Sequence, residues 1–342
     1  MILQPRSSPS IQAPACAWSH ADAGPETMQA IACAPGARGA WIPVETPIPL
    51  PGPEQVLIRV LSAGFGHWDV LERDGRLPGT LVHASAPWIG GAEGAGTVVE
   101  VGAHVQRLRE GDRVCGLALP CAPRYGFHAQ FALVDADRAW RIPARLPLHH
   151  AAALPVDGGL AMHAVAHVLG LGAGDTLLLL GASGGIGHMA LQFARQRGAR
   201  VLAVVSGADG IALAERLGAD MAIDGRRQDL AAALRIFAPE GPTASLLTAS
   251  DAGIARIAVD ALRSGGRIAW PHGVTPPPAR ADIAATGFGA HAGATSMQAA
   301  CRAIERGPFH LHVGARLPLS RIADAERLLT AHHLGRVVLD IP

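Results

Sequence analysis

Short apolar segments separated by glycine and proline dominate the chain between residues 28 and 150. At the spacing expected of strands joined by turns, these segments occupy residues 55–61, 96–101, 113–119 and 130–134. Such a pattern is typical of an antiparallel sheet. We therefore predict a β-rich domain over residues 28–152.

The pattern changes after Pro155. Long segments rich in alanine and leucine alternate there with wholly apolar stretches such as 177–180 and 201–205. Strands that are apolar throughout are buried on both faces, as in a parallel sheet covered by helices. Residues 153–285 are therefore predicted to form βαβ units with a doubly wound parallel sheet, which makes the fold class α/β.

The two ends of the chain carry different signals. Residues 1–27 are rich in proline, serine and alanine without a sustained period, which predicts a disordered leader before Met28. Residues 286–342 return to a mixed pattern, with an amphipathic helix near 322–331 and a last strand near 337–340. We expect this tail to rejoin the first domain.

Composition narrows the classes of partner. The 342-residue chain has 29 basic and 28 acidic residues, so it carries no electrostatic footprint for nucleic acid or an anionic membrane. Every basic residue is arginine, which excludes Schiff-base chemistry and a Tyr-x-x-x-Lys catalytic pair. The 5 cysteines form no Cys-x-x-Cys motif, and no apolar run could cross a bilayer. We expect a cytoplasmic protein that acts on a small molecule.

A glycine-rich turn carries the strongest chemical signal. The four leucines at 177–180 run into Gly-Ala-Ser-Gly-Gly-Ile-Gly at 181–187, and apolar residues at helical spacing follow. This order of strand, turn and helix is that of a dinucleotide site, where glycines let the backbone approach a pyrophosphate at the positive end of a helix. The residues predicted to bind the cofactor here are Ser183, Gly184, Gly185, Ile186 and Gly187.

The next strand bears on the choice of cofactor. An NAD-selective site places a carboxylate at its end, whereas this chain has Val205 followed by Ser206 and Gly207. The absence of that carboxylate favours NADPH, with NADH as the other possibility. Arg226 is the candidate partner of the ribose phosphate, although Arg226 and Arg227 could equally be solvated loop charges.

Several further motifs resemble the medium-chain dehydrogenase/reductase superfamily, and specifically its zinc-free quinone oxidoreductase branch. The resemblance extends from Met28 to the end of the chain, and its motifs lie at 90–96, 101–102, 111–114, 126–134, 217–220, 264–267 and 335–339. It implies a GroES-like β-rich domain beside a Rossmann domain, an active site between them, and a homodimer.

The resemblance also implies where zinc-dependent relatives hold their catalytic metal. Those three positions fall on Gly66, Ala92 and Asp157. Glycine and alanine have no donor atom, and a lone carboxylate does not hold zinc, which takes four ligands. We therefore predict no metal site. The oxidation of simple alcohols is disfavoured, because it needs a metal to stabilise the alkoxide.

Candidate residues for the chemistry follow from the same alignment of motifs. His67 and Asp69 are the predicted catalytic residues, and the predicted substrate pocket contains Trp68, Trp88 and Tyr125. The alternative is that His67 caps a turn and Trp68 fills the domain interface.

One further glycine completes the predicted cofactor contacts. The same family resemblance places Gly273, in the segment after the Gly-Gly-Arg turn at 265–267, near the nicotinamide. The function that these expectations favour is an NADPH-dependent oxidoreductase that transfers hydride to a quinone or an α,β-unsaturated carbonyl without zinc. A catalytically silent protein that binds NADPH as a structural or sensing ligand is the alternative.

Overall fold

The computed structural model describes residues 23–33, 40–76, 88–118, 125–289 and 293–342. Of the predicted leader, residues 1–22 lie outside the described ranges, and residues 23–27 belong to the first strand.

The strands are β1 (Ala23–Cys33), β2 (Ile42–Pro49), β3 (Gln55–Phe65), β4 (Trp88–Ile89), β5 (Glu93–Val101), β6 (Arg113–Leu117), β7 (Phe131–Asp135), β8 (Ala139–Arg141), β9 (Thr176–Leu180), β10 (Arg200–Val205), β11 (Met221–Asp224), β12 (Ala244–Leu247), β13 (Arg267–Pro271), β14 (Ala284–Phe288), β15 (Val313–Pro318) and β16 (Arg336–Asp340). The helices are α1 (His67–Arg73), α2 (Leu148–Ala151), α3 (Pro155–His163), α4 (Gly185–Gln196), α5 (Gly207–Arg216), α6 (Leu230–Phe237), α7 (Ala252–Ala261), α8 (Ala294–Arg306) and α9 (Ile322–Thr330).

The β-rich domain is built from two sheets. The larger one has the order β15-β16-β3-β5-β6-β8, with β7 paired to β3, and the smaller one has the order β2-β1-β4. All described pairings in these sheets are antiparallel except that of β15 with β16. The predicted tail therefore does rejoin the first domain, because β16 pairs with β3.

The second domain contains a six-stranded parallel sheet with the order β11-β10-β9-β12-β13-β14. Counted from its own first strand, this is the order 3-2-1-4-5-6 of the Rossmann fold. The predicted α/β class, with a β-rich domain beside a doubly wound sheet, is confirmed. The central strand β9 carries the leucine run because both of its faces are buried.

The second domain ends later in the chain than residue 285, the predicted boundary. That boundary falls inside β14, which is the sixth strand of the parallel sheet. The helix α8 then packs on α3 and α4, and the chain returns to the β-rich domain only at β15. In the described ranges, no helix is long and apolar enough to cross a membrane.

One apolar core runs across the boundary between the domains. Buried residues of the β-rich domain, such as Ala95 and Leu117, belong to the same cluster as Leu160, Leu179 and Phe193 of the second domain. Burial of apolar surface therefore holds the two domains against each other. This packing brings the start of β5 and the start of α3 to the same place as the glycine-rich turn.

Candidate functional site

The glycine-rich turn between β9 and α4 has no room for side chains at two positions. Gly181 has a φ of +79°, in the left-handed region that favours glycine. A Cβ on Gly187 would lie 2.1 Å from the carbonyl oxygen of Gly181, and one on Gly185 would lie 2.0 Å from Oδ2 of Asp157. The packing of the turn itself therefore requires glycine at positions 185 and 187.

The turn presents free backbone donors at the positive end of a helix. α4 begins at Gly185, and the first N–H groups of a helix have no acceptor within it. The first turn of α4, which is described in full, contains no acidic residue. Because N–H groups and the helix dipole favour an anion here, residues 183–187 form a cradle that fits the pyrophosphate of a dinucleotide.

His188, which we did not single out from the sequence, holds this turn in place. Its ring is fully buried, with Nδ1 at 2.8 Å from the carbonyl oxygen of Gly184 and Nε2 at 3.1 Å from the backbone nitrogen of His312. Because the N–H of His312 donates to Nε2, the proton of the neutral ring lies on Nδ1 and is donated to Gly184. Burial lowers the pKa of His188 to about 4.

The buried neutral state of His188 predicts a loss of stability in acid. The unfolded ring has a pKa near 6.5, so the stabilisation is complete above pH 6.5 and is lost as the pH falls toward 4. We expect the melting temperature of His188→Gln to depend less on pH than that of the wild type between pH 7 and 4. His272→Gln, at an exposed position, is the control. Equal slopes for wild type and His188→Gln would contradict the prediction.

The segment that precedes β16 runs beside the turn and the end of β10. The N–H of Gly335 donates to the carbonyl oxygen of Ser183 at 2.8 Å. Nε2 of His332 lies 2.9 Å from Oδ2 of Asp209, and its Nδ1 lies 3.4 Å from Oγ of Ser206. The predicted cofactor residues Ser183 and Ser206 are thus joined by a segment that sequence reasoning had not connected with the cofactor.

Two other predicted cofactor residues lie at the same edge of the parallel sheet. Arg226 follows β11 and is exposed, and its backbone N–H donates to Oδ1 of Asp224 at 3.0 Å. Gly273 follows β13 with a φ of +94°, and a Cβ on it would meet no atom within 4 Å. The carboxyl ends of parallel strands meet at one edge, which is where ligands of such sheets bind.

The first turn of α1 contains three predicted site residues. Asp69 is buried, and its Oδ2 accepts the N–H of Gly66 at 3.0 Å while its Oδ1 accepts the N–H of Ala92 at 3.1 Å. This carboxylate therefore ties the start of α1 to the segment before β5. Trp68 is half-buried and packs against the core shared by the two domains. His67 is exposed.

The environment of His67 favours its neutral form. Its pKa lies below the ordinary value because the protein around the ring removes part of its hydration and because His333 and Arg336 add positive charge. A neutral imidazole offers one donor and one acceptor. The two predicted catalytic residues thus differ in their surroundings. The ring of His67 is exposed, whereas both carboxylate oxygens of Asp69 accept backbone hydrogen bonds.

The other predicted pocket residues are at the three-stranded sheet, where Trp88 belongs to β4 and Tyr125 bridges to the same strand. Trp88 pairs with Cys33 of β1, and Tyr125 bridges to Ile89 of β4. Both side chains are half-buried. Tyr125 packs against the small apolar cluster that includes Met28.

A buried cluster of charges, made of Glu93, Asp157 and Arg336, lies where α4 begins. Nη1 of Arg336 donates to Oδ2 of Asp157 at 2.7 Å, and its Nη2 donates to Oε1 of Glu93. Oε2 of Glu93 accepts the N–H of Val156 at 2.7 Å. Glu93 and Arg336 belong to the larger sheet and Asp157 to α3, so this charge cluster links the two domains.

Burial and neighbouring charges shift the pKa values of this charge cluster in opposite directions. Burial raises the pKa of Glu93, while the positive charge of Arg336 and the N–H of Val156 oppose that rise. Burial alone would lower the pKa of Arg336, but the negative charges of Asp157 and Glu93 raise it above the ordinary value. The guanidinium is therefore a permanent positive charge.

The guanidinium lies where the resemblance places the ligands of a catalytic zinc. A Cβ on Gly66 would be 3.1 Å from Nη1 of Arg336, and Asp157 is already hydrogen-bonded to that nitrogen. In the described part of the chain, no group of three or more His, Cys, Asp or Glu side chains is placed to hold a metal ion. With Gly66 and Ala92 unable to donate, these residues do not fit zinc.

Comparison with known proteins agrees with this fold. Residues 52–144 match the model of the alcohol dehydrogenase GroES-like domain, and residues 185–292 match that of the zinc-binding dehydrogenases. An alcohol dehydrogenase of Rhizobium meliloti is 37% identical over 54% of this chain, and the match spans 60% of that relative's own length.

Two further proteins match over more of their length. An NADPH-dependent alkenal/one oxidoreductase of Arabidopsis thaliana is 29% identical over 84% of this chain and 72% of its own. The solved structure of a mycobacterial protein complexed with NADPH is 26% identical with a TM-score of 0.77, and covers 92% of this chain and 99% of that one.

The fold and the glycine-rich turn are those of an oxidoreductase family in which a GroES-like domain accompanies a Rossmann-type NAD(P)-binding domain. The chain belongs to the medium-chain dehydrogenase/reductase family.

Proposed function

We propose that this chain is a zinc-independent reductase that uses NADPH to reduce a quinone or an α,β-unsaturated carbonyl. The observation that carries the proposal is the Arg336 guanidinium, hydrogen-bonded to Asp157 and Glu93 beside the cofactor cradle. A zinc ion at that place would meet a fixed positive charge and two residues without donor atoms. An activity on conjugated acceptors needs no metal alkoxide.

The cofactor and the protein have separate roles in this proposal. When bound, the reduced nicotinamide supplies a hydride. Residues 183–187 would hold its pyrophosphate at the start of α4. His67, neutral and exposed at the start of α1, donates a hydrogen bond to the acceptor, and Asp69 positions it through the N–H of Gly66. The alkenal/one oxidoreductase of Arabidopsis thaliana acts on an acceptor of this class.

Turnover with a panel of acceptors tests the proposal. Purified protein, dialysed against a chelator, is mixed with NADPH and with quinones, enones and simple ketones, and the loss of nicotinamide absorbance is followed. We expect turnover of at least one quinone or enone with no dependence on added zinc. NADPH binding without turnover of any acceptor would favour the silent, NADPH-binding alternative. Activity that requires zinc would overturn the proposal.

A prediction about cofactor choice follows from His332. In the proposed complex, the ribose phosphate of NADPH lies near the end of β10, where the Asp209 carboxylate is 2.9 Å from Nε2 of His332. Removing the imidazole in His332→Ala leaves that negative charge without its partner. We expect kcat/KM for NADPH to fall roughly threefold to tenfold through charge repulsion, with little change for NADH.

Two variants of α5 complete this measurement. Asp209→Asn removes the repelling charge and should raise kcat/KM for NADPH relative to NADH. Glu215→Gln removes an exposed charge from the same helix at a distance from β10, and serves as the control. Equal losses for NADPH and NADH in His332→Ala would show that His332 does not act on the ribose phosphate.

A further inference from the structure

Two histidine rings lie side by side on the segment that leads into β15. Leu311 is buried in the core shared by the two domains, while His310 before it is exposed and His312 after it is half-buried. This alternation is that of a β-strand, in which residues i and i+2 share a face. Nε2 of His310 lies 3.4 Å from Nδ1 of His312. The two rings form a close pair, the His310–His312 pair, which has no part in the proposed function.

The distance between these two nitrogen atoms fits one edge of a zinc site. Zinc binds histidine nitrogen at about 2.0–2.1 Å and prefers tetrahedral geometry, which places two ligand nitrogens about 3.3–3.4 Å apart. A hydrogen bond between the rings is the other interaction that the pair allows, but 3.4 Å exceeds the usual N–H hydrogen-bond length of about 2.7–3.2 Å. Neutral imidazole is the commonest metal ligand among side chains. The geometry of the pair therefore favours a metal ion over a hydrogen bond.

The backbone that carries the pair is held in place by two buried side chains of α4 and by β16. The N–H of His310 donates to Oε1 of Gln192 at 2.7 Å, and Nε2 of Gln192 donates to the carbonyl oxygen of His310 at 2.9 Å. The N–H of His312 donates to Nε2 of His188 at 3.1 Å, and the carbonyl oxygen of His312 accepts the N–H of Arg336 at 2.9 Å. Because this backbone is already ordered, an ion that joins the two rings costs little further conformational entropy.

We propose that the His310–His312 pair binds one Zn²⁺ ion, with solvent at the remaining positions of the ion. Among the described residues, no group of three or more His, Cys, Asp or Glu side chains is placed to hold a metal. We therefore expect an open, exchangeable site that binds zinc more weakly than a four-ligand structural site does. The catalytic position that does not fit zinc consists of Gly66, Ala92 and Asp157, and the pair includes none of these residues. The proposed function and this site can therefore fail independently.

Titration of the metal-stripped full chain with zinc tests this site. A chromogenic chelator competes for the ion and gives the affinity, and cobalt(II), whose visible absorption reports tetrahedral coordination, is the second probe. We expect one zinc per chain in the wild type. The affinity should fall at least about tenfold in His310→Gln and in His312→Gln, because the loss of a residue that merely supports a metal ligand already costs about 10- to 100-fold. His149→Gln is the matched control, since it removes one ring of another close pair, 4.6 Å from the ring of His150.

Melting temperatures separate the loss of binding from the loss of folding. An ion that binds only the folded chain raises the melting temperature, so we expect zinc to stabilise the wild type and His149→Gln, and to stabilise His310→Gln clearly less. His310 is exposed, so His310→Gln remains decisive if His312→Gln does not fold. No zinc binding by the wild type, unchanged affinity in folded His310→Gln, or an equal loss in His149→Gln would each overturn this inference. The two rings would then share only a hydrogen bond.

Discussion

Gly187→Ala is expected to weaken the binding of NADPH by roughly 100-fold and to destabilise the protein. The added Cβ would lie 2.1 Å from the carbonyl oxygen of Gly181 and 2.8 Å from Cα of Ala182, and both are backbone atoms that no side-chain rotation can move. The turn must therefore open, which pulls α4 away from β9. Overpacking of this kind costs about 1–3 kcal/mol in stability.

We expect Gly187→Ala to reduce the affinity for NADPH more than it reduces the stability of the protein. The pyrophosphate cradle depends on the exact position of the first N–H groups of α4, and a loss of about 2.8 kcal/mol of binding free energy corresponds to roughly 100-fold in affinity. Fluorescence titration with NADPH measures the affinity, and chemical denaturation measures the stability. Gly172→Ala is the control, because a Cβ there meets no atom within 4 Å. Wild-type affinity in Gly187→Ala would show that this turn does not hold the cofactor.

Arg336→Leu is the second change with a large expected effect. It leaves the carboxylates of Glu93 and Asp157 buried, at 1% and 3% exposure, without the guanidinium that both accept from. Removing one partner of a buried ion pair costs about 3–5 kcal/mol, because the remaining charge has neither water nor a counter-charge. We expect a decrease of this size in the free energy of unfolding, measured by urea titration at neutral pH.

The control for this prediction is an ion pair in the same sheet that faces solvent. Arg316 donates to Asp340 at 2.7 Å, and the two side chains are 44% and 39% exposed. Arg316→Leu should change the free energy of unfolding by at most about 1 kcal/mol, since water already screens this pair. Similar losses in Arg316→Leu and Arg336→Leu would mean that burial of the charge cluster contributes little to stability.

Those parts of the site that lie within one segment of the chain could be predicted from the sequence. The strand, turn and helix at 176–196 are continuous, so the leucine run and the glycine spacing predict their structure directly. The argument against zinc needed the family resemblance as well, because only the resemblance places Gly66 and Ala92, which have no donor atoms, at ligand positions. The resemblance to medium-chain dehydrogenases/reductases is confirmed, and the hydrophobic patterns on either side of Pro155 predicted the order of the two domains.

The boundary at residue 285 shows where local patterns stop being sufficient. The strand β14 has four exposed residues followed by one buried residue, so it lacks the apolar run that marks β9. Its place in the parallel sheet depends on pairing with β13, which is a tertiary contact. A sheet edge needs less burial than a sheet centre, and its sequence signal is correspondingly weaker.

The amino-acid sequence by itself determined the α/β class and predicted a dinucleotide site at the glycine-rich turn, and the family resemblance placed Gly66 and Ala92, which have no donor atoms, at two positions of a metal site. Only the tertiary structure decided what occupies that place instead. Arg336 lies 243 residues from Glu93 and 179 from Asp157, and His188 lies 124 from His312. Such contacts leave no periodic pattern, because the fold and not the spacing brings the partners together. Burial then makes these charges strong determinants of stability.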